Sequence, residues 1–329
     1  MKVKIKKCII IIRQKVDLKI LIELPTWLGD CVMTTPSLSN LVNSESDISI
    51  NLIGSKVSVD CLKNFSKVDK SLYLTRDFLL DIKNIRSLGH FDCFISYRGS
   101  LRSKLLGFFV KAKKRANYKK EKYINGHQVE KYNAFINNFF NLNKPPKGLV
   151  LFNTGQSEIN TKLKKIGINP GAAYGSAKRW TKEGFFEVII ELAKNNKVLI
   201  FGSANEEKFF SDLINFKDSK NIENLAGKTN IQDLINEIAD LDLFITGDSG
   251  PMHIAAAFKV PTVSIFGPTK YLETSQWKNA KSIIIKENLE CQPCMKRECP
   301  LKHHNCMELI KSEKVIKKSL DILGKIEIN

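Results

Sequence analysis

Leu243-Phe244-Ile245-Thr246 is an unbroken apolar run that gives way at once to Gly247-Asp248-Ser249-Gly250-Pro251 and then to a small-residue stretch containing Ala255, Ala256 and Ala257. A short apolar run bounded by turn residues reads as a strand buried on both faces, and such strands belong to parallel sheets covered by helices. Met252 to Phe258 reads as the helix that follows. Asp248 and Ser249 are its capping candidates, and Pro251 sits in a first turn that needs no N–H from it. Gly250 permits close approach to the backbone. Such a turn offers free amides at the positive end of a helix dipole, a natural seat for phosphate. A well-capped helix with no ligand is the competing reading.

The same strand–helix logic runs through both halves of the chain. Lys19 to Leu24 predicts a strand, Val32 to Val42 a helix, and Ile48 to Ile53 a strand. Helices at Asp77 to Leu88 and Ser100 to Phe109 flank a strand at Phe91 to Ser96. His127 opens a helix running to Phe140, as a capping or surface residue rather than a catalyst. A break follows at Asn143-Lys144-Pro145-Pro146-Lys147-Gly148 and the polar Thr154 to Lys165 segment. Beyond it come a strand entering Gly167 to Pro170, a helix over Lys182 to Lys194, a strand at Val198 to Phe201, and helices at Glu206 to Phe216 and Ile231 to Ala239. The Phe244 strand and a strand at Val263 to Phe266 close the series. This alternation predicts an α/β protein with two Rossmann-like, doubly wound parallel sheets facing across a cleft. The expected organisation is an extension at 1–17, a first domain at 18–160, a second at 161–310, and a terminal helix at 311–329 returning to the first domain.

A chain of 329 residues suits two domains of ordinary size. Its longest apolar runs fall far short of the ~20 residues a membrane span needs. Ile9 to Ile12 follows a Lys-rich start, but Arg13, Lys15 and Asp17 stand where a secretion signal would have its cleavage site, so a cytoplasmic location is expected. The formal net charge of +18 admits nucleic acid, an anionic membrane surface or an acidic substrate, or simply a lysine-rich surface. The lysine blocks at Lys111 to Lys122 and Lys162 to Lys165 are not interleaved with stacking aromatics, so no nucleic-acid partner is expected. The dinucleotide glycine fingerprint is missing, since Pro25-Thr26-Trp27-Leu28-Gly29-Asp30 after the first strand holds one glycine where three are needed. There is no phosphate-binding lysine loop of the GxxxxGK type either.

Three further turns carry chemistry. Asp30 stands at a helix start after the first strand, with Gly29 giving room. There it serves either as an N-cap or as a base facing the cleft. As a base it needs burial or substrate to offset the helix dipole, which lowers a carboxylate pKa. Asn169 to Trp180 is a strand end, a small-residue loop and two cations; Lys178 or Arg179 can neutralise a diphosphate or remain solvated, while Trp180 suits a core anchor. Gly202 to Glu207 is another strand-end turn, where a glutamate can bind ribose hydroxyls.

Together these residues resemble the bacterial heptosyltransferases of lipopolysaccharide core synthesis, inverting enzymes of the two-domain GT-B type grouped as glycosyltransferase family 9. The matching segments are Leu24 to Asp30, Pro170-Gly171-Ala172 with Ala177-Lys178-Arg179-Trp180, Asn224 to Thr229, and Asp248 to His253 with Phe266-Gly267-Pro268-Thr269. The Cys291 to Met307 segment is similar to that of the type II members. The resemblance implies that Asp30 is the base on the acceptor hydroxyl and that Lys178 steadies the leaving ADP phosphates. It implies that Asp248 binds the heptose, that Ser249 and Gly250 hold the diphosphate through backbone amides, and that His253 lies in the same site. Thr229 and Glu206 would contact the adenosine, with Glu206 and Glu207 indistinguishable by spacing, and Tyr174 has no assigned role. The implied donor is ADP-heptose and the implied acceptor heptosyl-Kdo-lipid A, an anionic glycolipid of the inner leaflet, with no cofactor or metal required and peripheral membrane association expected. Transfer from another nucleotide-sugar, type I heptosyl transfer, and a non-enzymatic binder of anionic surfaces remain as alternatives.

The cysteines divide into two groups. Cys8, Cys31, Cys61 and Cys93 are scattered, as buried thiols are. Cys291, Cys294, Cys299 and Cys306 cluster near His303 and His304, and the opening Cys-x-x-Cys suits zinc although the whole spacing matches no standard finger. A structural metal, a redox pair and a thiol-rich loop near the acceptor are all compatible with that pattern.

Overall fold

The structure, a computed structural model, describes residues 18–44, 47–155, 163–171, 174–206 and 220–326. Two all-parallel sheets organise it. Strands β1 (Leu18–Glu23), β2 (Ile48–Gly54), β3 (Val68–Tyr73), β4 (Phe91–Ser96) and β5 (Ala112–Asn117) form the first, in the order β3-β2-β1-β4-β5. Strands β6 (Lys165–Asn169), β7 (Lys197–Ile200), β8 (Ile222–Asn224), β9 (Leu243–Gly247), β10 (Thr262–Ile265) and β11 (Ser282–Ile285) form the second, in the order β11-β10-β9-β6-β7-β8. Each order reverses once, between β1 and β4 and between β6 and β9, and ligands of open α/β sheets bind beyond the strand ends at such reversals. The register sets β6 against β9 with Asn169 opposite Thr246, so their carboxyl ends finish level.

The central strands are the apolar runs read from sequence; the edges are not. β3 (Val-Asp-Lys-Ser-Leu-Tyr) and β5 (Ala-Lys-Lys-Arg-Ala-Asn) are strands the sequence does not announce, because outer strands carry charge on their exposed positions. β8 and β11 are likewise additions to the expected series, and β11 rather than Val263 to Phe266 closes the second sheet. The single helix expected over Val32 to Val42 is two, α1 (Leu28–Met33) and α2 (Thr35–Val42). Pro36 has no N–H to give Val32, and the Thr35 hydroxyl takes that carbonyl instead at 2.8 Å.

The other helices are α3 (Lys56–Leu62), α4 (Phe78–Ser87), α5 (Leu101–Phe109), α6 (Gln128–Phe140), α7 (Lys182–Ala193), α8 (Ile231–Ala239), α9 (Gly250–Ala257), α10 (Tyr271–Thr274), α11 (Asn305–Glu308) and α12 (Ser312–Ile326). Asp77, Ser100 and Asn230 cap their helices through side-chain oxygens, which places the starts of α4, α5 and α8 where polar residues precede apolar ones. The expected Glu206 to Phe216 helix and the 1–17 extension lie outside the described residues.

The terminal helix is a correction. Val315, Ile322 and Leu323 of α12 pack with Phe185, Val188 and Leu192 of α7 in the core of the second sheet, rather than returning to the first domain. Trp180, the core anchor, holds the approach to α12 by donating from Nε1 to Ile310 O at 3.0 Å. One core cluster joins the facing sides of the two halves: Leu24, Cys31 and Val32 belong to it together with Phe201, Ile235, Ile254 and Ala255.

Candidate active site

A cleft of about 720 Å³ opens between the carboxyl ends of the two sheets. Asp30, Lys178, Glu206, Thr229, Asp248, Ser249, Gly250 and His253 all line it. Residues distant in sequence meet there because the loops after β1, β6 and β9 all leave at the two strand-order reversals.

Asp30 is the third residue of α1, whose N-cap is Trp27, so the N-cap reading is set aside. Tyr132 of α6 donates its hydroxyl to Asp30 Oδ1 at 3.2 Å. Burial raises the Asp30 pKa above the usual carboxylate value, while the Tyr132 hydrogen bond and the Lys178 charge oppose that rise. Burial therefore outweighs the Tyr132 hydrogen bond and the Lys178 charge, and a raised pKa is the condition required for this carboxylate to be a useful base.

Across the cleft, Lys178 Nζ meets Asp248 Oδ2 at 2.6 Å, and Thr269 donates to the same oxygen at 2.6 Å. Lys178 also lies 4.8 Å from the Tyr174 ring centroid, and Arg297 lies 5.3 Å from it. Tyr174 is thus the aromatic floor beneath the lysine. Ser249 occupies the N-cap position of α9 without capping it; its hydroxyl turns to Thr246 at 2.9 Å and Asn169 at 3.3 Å. The first amides of α9 consequently have no side-chain cap, and the free positive end of this eight-residue helix faces the cleft.

The close approach expected at Gly250 is realised against the other domain. A Cβ there would lie 2.9 Å from Leu28 Cβ, and one on Gly29 would lie 2.7 Å from His253 Cδ2. Two glycines therefore let α1 and α9 abut. His253 is buried, its pKa is pushed down to about 4 chiefly by burial, and its Nδ1 has no hydrogen-bond partner in the described structure. Glu206 folds over Gly171 and accepts from Ser203 N and Oγ, both at 2.8 Å. Glu207 lies outside the described residues.

Comparison with known proteins bears on this arrangement. A model of glycosyltransferase family 9 (heptosyltransferase) matches residues 82–305. A lipooligosaccharide heptosyltransferase 2 of Campylobacter jejuni is 40% identical over 316 residues, spanning 93% of this chain and 98% of that protein. The chain belongs to glycosyltransferase family 9. The lipopolysaccharide heptosyltransferase 2 of Escherichia coli is 25% identical, over 77% of this chain and 83% of its own. The solved structure of the E. coli ADP-heptose lps heptosyltransferase II superposes with a TM-score of 0.80 at 22% identity, covering 94% and 99% of the two chains. The E. coli heptosyltransferase WaaC with ADP gives 0.71 at 16%, covering 92% and 99%. These superpositions establish the GT-B fold.

In and behind the cleft of this family 9 chain stand residues that sequence reasoning missed. Tyr132 lies 102 positions from Asp30, and no local pattern announces it. Thr269 was legible as the end of a strand-to-turn segment but had no role. His127 caps α6, accepting from Val129 N, yet it is buried, and its Nε2 lies 2.9 Å from Ser275 O of the other half.

The cysteine-rich segment backs the Lys178 loop. Ala177 N donates to Arg297 O at 3.0 Å, His304 Nε2 lies 2.9 Å from Ala177 O, and Tyr174 donates to Met295 O at 3.1 Å. It therefore lies beside the Lys178 loop, and its Met295 lines the cleft together with Asp30. Its four cysteines line one small pocket as free thiols, and no grouping of metal ligands is found among the described residues. Burial, with the neighbouring thiols, pushes Cys306 up to about 11.

Proposed function

We propose that this family 9 enzyme transfers heptose from ADP-heptose to the heptosyl-Kdo-lipid A inner core of lipopolysaccharide, with inversion and without a bound metal. The observation that carries the reading is the opposition of Asp30, in one half, to the Lys178–Asp248–Thr269 cluster and uncapped α9 amides in the other, across one cleft. Asp30 takes the proton of the acceptor hydroxyl as its oxygen bonds to the anomeric carbon. The bond from that carbon to the diphosphate breaks, and ADP departs with the electron pair. Lys178 and the amides at Gly250 meet the charge developing on the diphosphate, which is the task a metal ion performs in other transferases. Displacement from opposite faces is the expected stereochemistry when base and leaving-group site belong to different domains.

Asp248 engages Lys178 and Thr269 through Oδ2, so Oδ1 is the oxygen for sugar hydroxyls. Glu206 and Thr229 suit the ribose side, and Ile231 and Leu234 give the base an apolar wall. The acceptor is lipid-anchored and anionic, which fits a strongly basic chain acting at the cytoplasmic face of the inner membrane.

The test is transfer to a deacylated heptosyl-Kdo acceptor from a panel of nucleotide-sugars. ADP-heptose should be the best donor, and Asp30→Asn should lower kcat by at least about 10²-fold while donor KM changes little. An Asp30→Asn enzyme with intact turnover overturns the mechanism, and preference for another donor overturns the substrate assignment.

A further inference from the structure

Helix α5 presents apolar side chains in two directions. Leu106 and Gly107 are buried, and a Cβ on Gly107 would strike the Phe94 ring. Leu101, Leu105 and Phe108, at i, i+4 and i+7, share another face and are 73%, 46% and 77% exposed. A surface helix ordinarily shows water a polar face, so an outward stripe of this kind marks a partner surface. The first turn of α4 adds Leu79 and Leu80, which are also exposed. The two helices are clamped together: Arg102 pairs with Asp81 at 2.6 Å and lies over the Phe78 ring, and Phe78 packs edge-on against Phe109 at 6.2 Å.

The charge around this stripe identifies its partner. Residues 98–122 contain ten cations and one carboxylate. Lys104, beside Leu105 on α5, joins Arg115, Lys119 and Lys122 around a groove of about 630 Å³ whose lining has no acidic residue. Apolar side chains ringed by cations match a bilayer surface, where anionic headgroups lie directly above acyl chains. The groove also adjoins the active cleft. Lys119 and Lys122 line the groove while Lys120, between them, lines the cleft that holds Asp30.

We propose that the α4–α5 face docks the enzyme on an anionic bilayer. Leu79, Leu101, Leu105 and Phe108 enter the boundary between headgroups and acyl chains, and Lys104 and its neighbours bind the headgroups. The inference rests on the reading of the acceptor as a membrane-anchored glycolipid and names the surface that delivers it to Asp30.

The experiment is sedimentation of the full chain with vesicles of phosphatidylcholine alone and with added phosphatidylglycerol, at two salt concentrations. The wild type should bind phosphatidylglycerol vesicles, more weakly at high salt. Leu101→Ser with Phe108→Ser should weaken that binding at least about tenfold at both salts. Turnover of the deacylated, water-soluble acceptor should be unchanged in this variant, while turnover of acceptor embedded in vesicles falls in parallel with binding. Lys104→Glu with Lys119→Glu, exposed groove positions whose change leaves the core intact, should remove the preference for phosphatidylglycerol. Wild-type protein that ignores these vesicles, or variants that bind as it does, overturns the proposal. So does a lipid-free wild-type dimer that the serine variant dissociates, since the stripe is then a contact between two copies. Vesicle binding without turnover of the soluble acceptor overturns the heptosyl-transfer reading instead and leaves the docking face standing.

Discussion

At the residue scale the decisive competition is over the proton of Asp30. Burial raises its pKa, and the Tyr132 hydroxyl holds it back by bonding to the ionised form. A base must be ionised to act, so kcat/KM should rise with pH through the Asp30 titration. Removing the donor with Tyr132→Phe moves that acid limb to higher pH. The expected result is about tenfold lower kcat/KM at the acid end of the profile and a change of less than about threefold at pH 8. A variant profile that falls equally at every pH would show that Tyr132 shapes the site without holding the base. His253 stays neutral down to about pH 4, because burial disfavours its charged form. The position of Asp30 was readable from the strand and turn before it, whereas its ionisation was not. Burial and Tyr132 are supplied by segments far along the chain.

At the element scale, the sequence displayed the central strands and concealed the edges. Leu18–Glu23 and Leu243–Gly247 are apolar because helices cover both their faces, and that periodicity is a local property. Ala112–Asn117 reads as a loop because its Lys-Lys-Arg core serves an exposed edge. The meeting of α1 with α9 was equally hidden: the glycines were visible, but their mutual use depends on how two domains dock. Gly29→Ala should push His253 aside and open the α1–α9 contact, costing about 1–3 kcal/mol and lowering kcat with it. Gly324 is the contrasting case, within α12, where an added methyl would meet nothing inside 4 Å. There Gly324→Ala should stabilise by about 0.5–1 kcal/mol and leave activity alone. Thermal melts with kcat measured on the same preparations separate these outcomes, and equal effects at both positions would refute the packing argument.

At the scale of the whole molecule, the two halves are held by polar contacts whose protonation matters. Lys131 of α6 pairs with Glu273 at 2.7 Å, and that pairing is the first cause holding the Glu273 carboxyl below its usual value. His253 sits where α1 meets α9, kept neutral by burial, with Asp248 opposing that shift and His127 and Lys178 reinforcing it. In the unfolded chain this imidazole takes its proton near pH 6.5; in the folded protein it does so near pH 4. Its contribution to stability is therefore complete above about 6.5 and is lost as pH falls towards 4, amounting to about 2–3 kcal/mol by pH 4.5. His127, also lowered by burial, acts in the same direction, whereas Asp30, raised, acts in the opposite one. Urea unfolding at pH 7.0 and pH 4.5 should show the loss. In His253→Gln, whose side chain does not titrate, the difference between the two pH values should shrink by about 2 kcal/mol. An undiminished difference would mean that the imidazole is already protonated between the domains, in which case the α1–α9 contact could not be the dry, close-packed junction that aligns the two halves of the cleft.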